Sequence, residues 1–527
     1  MSAVSRFEVI LLLIAVVVGL DVLTRRLRLP RAAALILGGI GLALIPGAPD
    51  VEIDPELVLV LFLPPLLLSS AWFTSWRDFR ANLSIILHLA VGAVFFTTLV
   101  VGVVAHWIIP DLPWAACFAL GAIVSPPDSV AAKAVLEKVP LPHRVIVLLE
   151  GESLVNDASG LVLLRFAVAA ALTGSFSAGE ATVSFFAVAI GGVLVGVVFA
   201  CAAMLAIKRL KEEVDLAIAL TFLVAWISYI AAEKLHVSGV LSTVACGMIL
   251  GWKQHEFLDA TLRTRSTVTW SVVVFVLESL VFILIGLALR GVLHRLGGYD
   301  AMVALLPATI AVIAAVTAAR FVWIFSSIYI PRLFSSRLRT RDPAPPVAIP
   351  IIVSWAGLRG VVSLAAALSL VEHFPGRDQI IAMTFAVILV TVLVQGSTLA
   401  PMVRLLIRDN IASPHQSMLN EAQARARVAD AQFAAIEKAS RNEDGTHNHP
   451  RLFEQYTYRK GAAARYVEEA DTLSPHRIAH YTTVLLAIDA GRAELLKMHR
   501  TGEIHDSVLQ TIEEGLDLEE VNARRYL

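Results

Sequence analysis

Charged residues are scarce in this sequence. Asp, Glu, Lys and Arg make up 17% of its 527 residues, whereas they form about a quarter of an ordinary soluble domain. Acidic and basic residues nearly cancel, and the formal net charge is −1. The sequence therefore lacks the basic excess that attracts nucleic acids, and we expect no nucleic-acid partner.

Cysteine is almost absent as well. The three cysteines, Cys117, Cys201 and Cys246, lie in apolar stretches and do not have the spacing of a metal site. A disulfide framework and a bound metal centre are therefore not expected. We predict a protein without a cofactor.

Long apolar runs, by contrast, are abundant: 57% of the residues are hydrophobic, and the mean hydropathy is +0.73. A helix that crosses a bilayer needs about 20 mostly apolar residues, and the sequence contains about thirteen such runs. We therefore predict an all-α polytopic membrane protein. The predicted spans are 8–24, 31–47, 56–73, 83–109, 113–136, 144–173, 182–207, 214–232, 237–252, 269–292, 301–328, 346–371 and 379–405.

The basic residues predict the orientation of these spans. Loops that follow odd-numbered spans hold about eighteen Lys and Arg residues, and the loops that follow even-numbered spans hold about four. Because loops rich in Lys and Arg stay in the cytoplasm, we predict the N-terminus outside and the C-terminus inside.

The apolar character of the chain ends near residue 410. Residues 1–410 are predicted to form the membrane domain. Residues 411–527 are polar, with Ala, Glu, Gln and Arg at helical spacing, and are predicted to form a small cytoplasmic helical domain.

Two of the predicted spans are interrupted. The fifth contains Ser125-Pro126-Pro127-Asp128-Ser129, and the twelfth contains Trp355-Ala356-Gly357-Leu358-Arg359-Gly360. Two prolines remove backbone donors and break a helix. The spans are seven apart in order, so they have opposite orientations and fit inverted repeats of six helices each. Paired broken helices at matching places in two halves indicate a transport site, and we predict that these two helices cross.

The sixth span carries charge where a bilayer-crossing helix seldom does. It contains Glu152, Ser153, Asn156 and Asp157. A charged side chain at the bilayer centre costs about 2.5–3.5 kcal/mol on insertion scales, so such residues indicate an ion path or a paired network. Ser153 and Asp157 share one helical face, and their oxygens suit a small cation. Glu152 on the neighbouring face needs a partner.

Several motifs carry a resemblance to a known family. They are E-x-E-S-L-x-N-D at 150–157, S-P-x-D at 125–128, W-x-G-L-R-G at 355–360, H-V-S-G-V-L-S at 236–242 and E-S-L-V-F-I-L-I-G at 278–286. Together they resemble the monovalent cation/proton antiporters, which include the sodium/hydrogen exchangers and their bacterial homologues. The resemblance extends over about Leu12 to Arg404.

The resemblance implies roles for individual residues. Asp157 is implied to bind the cation and the proton in turn, Ser153 to contact the ion, and Asp128 to contribute from the fifth span. Asn156 is placed beside them, and an asparagine before the aspartate implies electroneutral exchange. Glu152 is implied to form a structural ion pair with Arg359.

The resemblance also has implications for the whole protein. It implies a secondary active transporter, not an enzyme, that exchanges Na⁺ or Li⁺ for H⁺ by alternating access. A homodimer in the inner cell membrane is implied as well.

The sequence departs from the family pattern in two places. Pro127-Asp128-Ser129 stands where the family reads Thr-Asp-Pro, so Ser125 or Ser129 is predicted to replace the threonine hydroxyl. Some members carry an acid after Pro-Pro-Leu-Leu in the third span, where this sequence has Ser69 and Ser70. Both departures leave the ion preference open.

Other interpretations of the same residues stay open at this stage. Asp128 either contacts the ion or caps the amides at the helix break. Exchange of K⁺ for H⁺, and import of an anion through Arg359, are alternative transport functions. An intramembrane aspartyl protease that uses Asp128 and Asp157 is an alternative from another class, because such enzymes need two carboxylates that share a proton.

Overall fold

The structure is a computed structural model that describes most of the chain. The described residues are 3–27, 30–45, 55–128, 141–174, 177–210, 212–296, 298–334, 344–407, 421–442, 446–468 and 470–524. Within them the chain is helical, apart from turns and one isolated bridge between Arg441 and His447. The chain divides into two compact units, Met1–Ala412 and Ser413–Leu527.

The first unit contains sixteen α-helices among the described residues, two pairs of which are joined by a π-helical turn. They are α1 (Ala3–Leu27), α2 (Arg31–Ala43), α3 (Pro55–Phe73), α4 (Trp76–Leu87), α5 (Val94–Ile108), α6 (Trp114–Val124), α7 (His143–Thr173), α8 (Ala178–Arg209), α9 (Val214–Lys234), α10 (Gly239–Phe257), α11 (Ala260–Leu296), α12 (Tyr299–Phe334), α13 (Ala348–Trp355), α14 (Val361–Leu368), α15 (Arg377–Val390) and α16 (Gly396–Leu406). The π-helical turns are His88–Ala93, between α4 and α5, and Thr391–Gln395, between α15 and α16.

Seven helical stretches among the described residues are long and apolar enough to cross a membrane. They are Trp76–Ile108, His143–Thr173, Gly179–Arg209, Val214–Lys234, Ala260–Leu296, Asp300–Phe334 and Arg377–Leu406. Shorter apolar helices accompany them, as expected where a span is broken or its end is not described. The first unit is therefore an all-helical, multi-span membrane protein.

The second unit is a set of amphipathic helices. They are α17 (Glu421–Ser440), α18 (Pro450–Glu468), α19 (Ala470–Arg500) and α20 (Asp506–Arg524). Aromatic stacking joins α17 to α18, with the ring centroids of Phe433 and Phe453 5.4 Å apart. Arg492 of α19 binds Asp517 of α20 at 2.6 Å. This ion pair is exposed, so it contributes little to stability.

Both predicted helix breaks lie in the first unit. Helix α6 ends at Val124, and α13 ends at Trp355, before α14 begins at Val361. The two breaks meet: the amide of Asp128 donates to the carbonyl of Leu358 at 2.7 Å. The prolines at 126 and 127 have no amide hydrogen to donate, so Asp128 is the next residue of that segment whose amide can donate. The second half of the predicted fifth span, with Ser129, lies outside the described residues.

Helix α2 packs closely on helix α11. Helices α2 and α11 cross at Gly39 and Gly286, where a Cβ added to Gly39 would lie 2.9 Å from the Cα of Gly286. Small residues allow such close backbone contact in membranes, where packing holds helices together. At the start of α2, Arg31 donates to the carbonyl of Phe275 at 2.9 Å, which ties α2 to the middle of α11.

Candidate functional site

A cavity lies where the first break meets α3, α7, α11 and α14. Its volume is about 40 Å³, which is enough for a few water molecules or one partly hydrated ion. Its lining consists of Leu63, Leu66, Leu67, Ser70, Asp128, Ser153, Leu154, Asp157, Glu278, Val281, Phe282, Val361 and Val362. The polar part of this lining consists of acids and hydroxyls.

Two of the predicted site residues enter the cavity from α7. Ser153 and Asp157 are four residues apart on a continuous helix and therefore share a face. Their exposed fractions are 9% and 8%, so both are buried inside the unit. The sequence-based prediction of a hydroxyl and a carboxylate side by side agrees with this placement.

The location of Asp128 is compatible with both interpretations of this residue, contact with the ion and capping of a helix break. Its side chain lines the cavity, and its carboxylate also lies against Gly360, which precedes the first residue of α14. The N-terminus of a helix carries a partial positive charge and unsatisfied amides, which a carboxylate stabilises. One acid can therefore stabilise the second broken helix and face the cavity.

This contact predicts a steric effect at Gly360. Replacement by Ala is expected to abolish the exchange that the resemblance implies, because the new Cβ would overlap the carboxylate of Asp128. Proton movement in vesicles that contain Gly360→Ala measures the effect. Gly291→Ala is the matched control, since nothing lies within 4 Å of a Cβ at that position and activity is expected to persist. Normal exchange by Gly360→Ala would contradict the placement of Asp128.

Asn156 connects α7 to the first break. Its side-chain amide donates to the carbonyl of Pro127 at 2.7 Å, and the residue is fully buried. Within the described part of the chain, no donor reaches its Oδ1 atom. Asn156 does not line the cavity as the structure describes it. Its observed contact holds the break beside Asp157.

Ser125 is placed differently from the prediction. Its Oγ lies 3.2 Å from the hydroxyl of Thr98 in α5 and donates to the carbonyl of Ala122 at 3.3 Å. It does not belong to the described cavity lining. The reason is that Ser125 still follows the helical course of α6, which turns its side chain toward α5. In this arrangement the hydroxyl of Ser125 contacts Thr98 and Ala122 and not the cavity.

The predicted ion pair between Glu152 and Arg359 is wrong. Glu152 binds Arg320 of α12 through two hydrogen bonds, at 2.5 Å from Nη1 and 3.0 Å from Nη2. Glu152 is 1% exposed and Arg320 is 3% exposed. A two-pronged guanidinium–carboxylate pair is the arrangement that makes such burial tolerable.

Arg359 instead binds the backbone of the two breaks. Its Nε donates to the carbonyl of Val124 at 2.7 Å, and one Nη atom donates to the carbonyl of Gly357. Val124 is the last residue of α6, whose final carbonyls have no partner within the helix. Arg359 itself lies in the second break, between α13 and α14, and these two carbonyls are the acceptors within reach of its guanidinium.

Arg320 likewise donates hydrogen bonds to a carbonyl at the C-terminal end of the other broken helix. Besides binding Glu152, its Nε and Nη2 atoms donate to the carbonyl of Val353, at 3.3 and 3.2 Å, in the last turn of α13. Positive charge is favourable at a helix C-terminus. The two arginines therefore stabilise the C-terminal ends of α6 and α13, and Asp128 stabilises the N-terminal end of α14.

Two further polar residues, Ser70 and Glu278, line the cavity. Ser70 lines the cavity, and Ser69 is buried in α3. Glu278 of α11 lines it as well, although it was not among the residues predicted to form the site. The sequence did contain a pattern that indicates this placement, because Glu278, Val281 and Phe282 have the i, i+3, i+4 spacing of one helical face.

The arrangement suits competition between a small cation and a proton. Carboxylate and hydroxyl oxygens are the ligands that hard cations prefer, and a carboxylate also takes up a proton. The surrounding lining is apolar, with leucines and valines that exclude other polar groups. A helical membrane protein with crossed helix breaks around such a cavity belongs to the class of secondary cation/proton transporters.

Comparison with solved structures agrees with the fold. The chain is similar to the sodium/proton antiporter MjNhaP1 of Methanocaldococcus jannaschii, with a TM-score of 0.62 and 18% sequence identity. The match covers 78% of this chain and all of that structure. At this identity the likeness shows the fold.

Comparison of sequences shows the family. The family model "Sodium/hydrogen exchanger, transmembrane" matches residues 12–405. The sodium/hydrogen exchanger YjcE of Escherichia coli K12, described as uncharacterized, is 34% identical over 89% of both chains. A sodium, potassium, lithium and rubidium/proton antiporter of Bacillus pumilus is also 34% identical, over 75% of this chain and 61% of its own length. This chain belongs to the sodium/hydrogen exchanger family.

Membership settles the broad activity. The family consists of secondary transporters that exchange a monovalent cation for protons across a membrane. The protein is therefore a transporter and not an enzyme, which removes the aspartyl protease interpretation. Its substrates are a monovalent cation and H⁺.

Proposed function

We propose that the protein exchanges Na⁺ or Li⁺ for H⁺ and that Asp157 is the acid that binds them in turn. The observation that carries this proposal is the cavity shared by Asp157, Ser153 and Asp128. A carboxylate in so small a space holds either a proton or a metal ion, so binding of one displaces the other. Alternating access follows if the helices rearrange only when Asp157 is neutralised.

Ser153 and Asn156 complete the proposed site. The hydroxyl of Ser153 is the second ligand from the same face of α7 as Asp157. Asn156 lies outside the described cavity lining, and we propose that its hydrogen bond to the carbonyl of Pro127 holds the first break, and with it Asp128, beside Asp157. Asp128 lines the cavity and contributes negative charge that favours the cation. Ser125 is left out of this set because of its contact with Thr98.

The stoichiometry proposed is one ion for one proton. Asp157 has an asparagine beside it, so the α7 face offers one exchanging carboxylate. Asp128 lies against the N-terminus of α14, where the helix dipole favours a negative charge, so we propose that it does not exchange its proton during transport. One titrating acid then gives electroneutral exchange.

The membrane arrangement is proposed from the sequence pattern. Thirteen spans, with the N-terminus outside and the C-terminus in the cytoplasm, fit the distribution of basic residues. The inner cell membrane is the proposed location, residues 1–410 the transport domain and residues 411–527 a cytoplasmic domain. A homodimer is proposed as the assembled form.

Potassium/proton exchange is the alternative function. It has support from the relative in Bacillus pumilus, whose name includes sodium, potassium, lithium and rubidium. Ser69 and Ser70 stand in the stretch where the resemblance implies an acid in some family members, and Ser70 lines the cavity, so this cavity lacks a charge that those members have.

Reconstituted vesicles test the proposal. Vesicles with an imposed pH gradient receive Na⁺, Li⁺, K⁺ or choline, and a trapped dye reports the internal pH. We expect Na⁺ and Li⁺ to move protons, K⁺ to do so weakly and choline not at all. The same rate at zero and at negative membrane potential supports one-for-one exchange. A response to K⁺ that exceeds the response to Na⁺ would establish the alternative.

A further inference from the structure

A buried threonine outside the cavity binds the backbone of the second break. Thr391 is the first residue of the π-helical turn between α15 and α16 and is 1% exposed. Its hydroxyl accepts a hydrogen bond from the backbone amide of Arg359 at 3.1 Å and donates to the carbonyl of Ile388 at 3.1 Å. A hydroxyl has one hydrogen to donate, so its use on Ile388 leaves the lone pairs for Arg359. Thr391 does not belong to the described cavity lining.

The amide that Thr391 binds belongs to a peptide group that also binds the first break. This is the peptide group between Leu358 and Arg359. Its carbonyl accepts a hydrogen bond from the amide of Asp128 at 2.7 Å, and its N–H donates to Thr391. Because a peptide group is planar and stiff, the position of its N–H fixes the position of its carbonyl. Thr391 and Asp128 are therefore connected through one rigid unit.

Asp128 brings this connection to the cavity. Its side chain lines the cavity, and its carboxylate lies against Gly360. Its two contacts with the second break, to Leu358 and to Gly360, are therefore made with the residues on either side of Arg359. A shift of the peptide group that Thr391 holds would change both contacts and, with them, the position of the carboxylate at the cavity.

The π-helical turn gives Thr391 a second attachment. The amide of Gly396 donates to the carbonyl of Thr391, five residues earlier, which is the hydrogen bond of a π-helix. At the other end of the turn, the side-chain amide of Gln395 donates to the hydroxyl of Thr317 in α12 at 3.3 Å. One end of the turn therefore binds the second break and the other end binds α12. Such turns occur frequently at functional sites.

We propose that Thr391 is a positioning residue, which holds the Leu358–Arg359 peptide group and, through it, the carboxylate of Asp128 in the arrangement that binds the transported cation. The proposal rests on the proposed function. Arg359 is 1% exposed, and a buried amide that loses its acceptor is costly, so loss of the hydroxyl favours other arrangements of the break. The apparent affinity for the cation then falls by the fraction of molecules that keep the competent arrangement.

The half-saturating Na⁺ concentration of Thr391→Val in reconstituted vesicles tests the proposal. Val has nearly the shape of Thr and lacks the hydroxyl. We expect the half-saturating concentration to rise about tenfold, the effect of one lost buried hydrogen bond. The maximal rate is expected to stay within about twofold, because saturating cation restores the competent arrangement. Thr391→Ser keeps the hydroxyl and is expected to stay within about twofold of the unaltered protein in both quantities.

Thr384→Val is the matched control. Thr384 lies two helical turns before Thr391 in α15 and is fully buried. Within the described part of the chain its hydroxyl has no hydrogen-bond partner, and it does not belong to the cavity lining. The same substitution is therefore expected to leave affinity and maximal rate unchanged. An equal effect at the two positions would overturn the proposal, and so would a Thr391→Ser variant that behaves as Thr391→Val does.

A third variant keeps the proposal testable if Thr391→Val does not fold. Thr391→Ala removes the hydroxyl and adds no atom beside the amide of Arg359, and the same rise of about tenfold is expected. A half-saturating concentration equal to that of the unaltered protein would overturn the proposal. Failure of both variants to fold would assign Thr391 a structural role and overturn it too. Loss of maximal rate at unchanged affinity would contradict it as well, because positioning of Asp128 acts on binding.

Failure of this inference is distinguishable from failure of the proposed function. If the unaltered protein moves protons in response to Na⁺ and Thr391→Val has the same half-saturating concentration, only the role of Thr391 is wrong. If the unaltered protein responds to K⁺ and not to Na⁺, the proposed ion preference fails. The same variants measured with K⁺ then decide on Thr391, with the same expected rise of about tenfold.

Discussion

Replacement of Asp157 by Asn is expected to abolish cation-driven proton movement while the protein stays folded and inserted. Asn has the same shape but cannot ionise, so it neither holds a proton nor attracts a cation by charge. Asp157 is buried at 8% exposure, and removal of a buried charge relieves a desolvation cost. We therefore expect no loss of melting temperature.

Vesicles with an imposed pH gradient measure this prediction, with the melting temperature in detergent as the check on folding. Asp111→Asn is the matched control, because Asp111 is exposed in the loop between α5 and α6 and lies outside the cavity lining. Na⁺-driven proton movement by Asp157→Asn at the normal rate would remove Asp157 from the proposed mechanism. Loss of activity in the control would show that the change is not specific.

Disruption of the pair between Glu152 and Arg320 is expected to have the largest effect on stability. Removal of one partner of a buried ion pair leaves the other charge uncompensated, which costs about 3–5 kcal/mol. Glu152→Ala and Arg320→Ala should each lower the melting temperature more than Asp157→Asn does. Because each removes the same interaction, the double variant should lose much less than the sum of the two.

A second double-variant cycle, between Glu152 and Arg359, serves as the comparison. Arg359 donates to the carbonyls of Val124 and Gly357 and not to Glu152, so its coupling to Glu152 should be the smaller of the two. A larger coupling with Arg359 than with Arg320 would restore the pair first predicted from the sequence. Unfolding in detergent, followed for all five variants, gives both couplings.

The features that the sequence predicted well are local. The helical spacing of Ser153 and Asp157 depends on five consecutive residues of one helix, so their shared face was predictable. The prolines at 126 and 127 and the glycines at 357 and 360 act on their own backbone, so the two breaks were predictable too. The family followed from the same short motifs.

The features that the sequence predicted badly depend on how distant helices pack. Glu152 needed a cationic partner, but its spacing could not decide between Arg359, which lies in a motif, and Arg320, which lies in an apolar helix without one. The choice depends on which helix lies beside α7. Ser125 belongs to a motif but continues the course of α6, and that course turns it toward Thr98. Its contact cannot be derived from the motif alone.

The main-chain hydrogen bond between Asp128 and Leu358, together with the bond from Asn156 to Pro127, joins the crossed segments and α7 into one body. Helices α3 and α11 line the cavity as well, and together with α2, which packs on α11 at Gly39 and Gly286, they form a second body. If exchange proceeds by alternating access, as proposed above, we expect the movement to occur between these two bodies. A covalent cross-link between the two bodies is expected to hold the cavity open to one side of the bilayer and stop turnover, whereas a cross-link within either body should leave turnover intact.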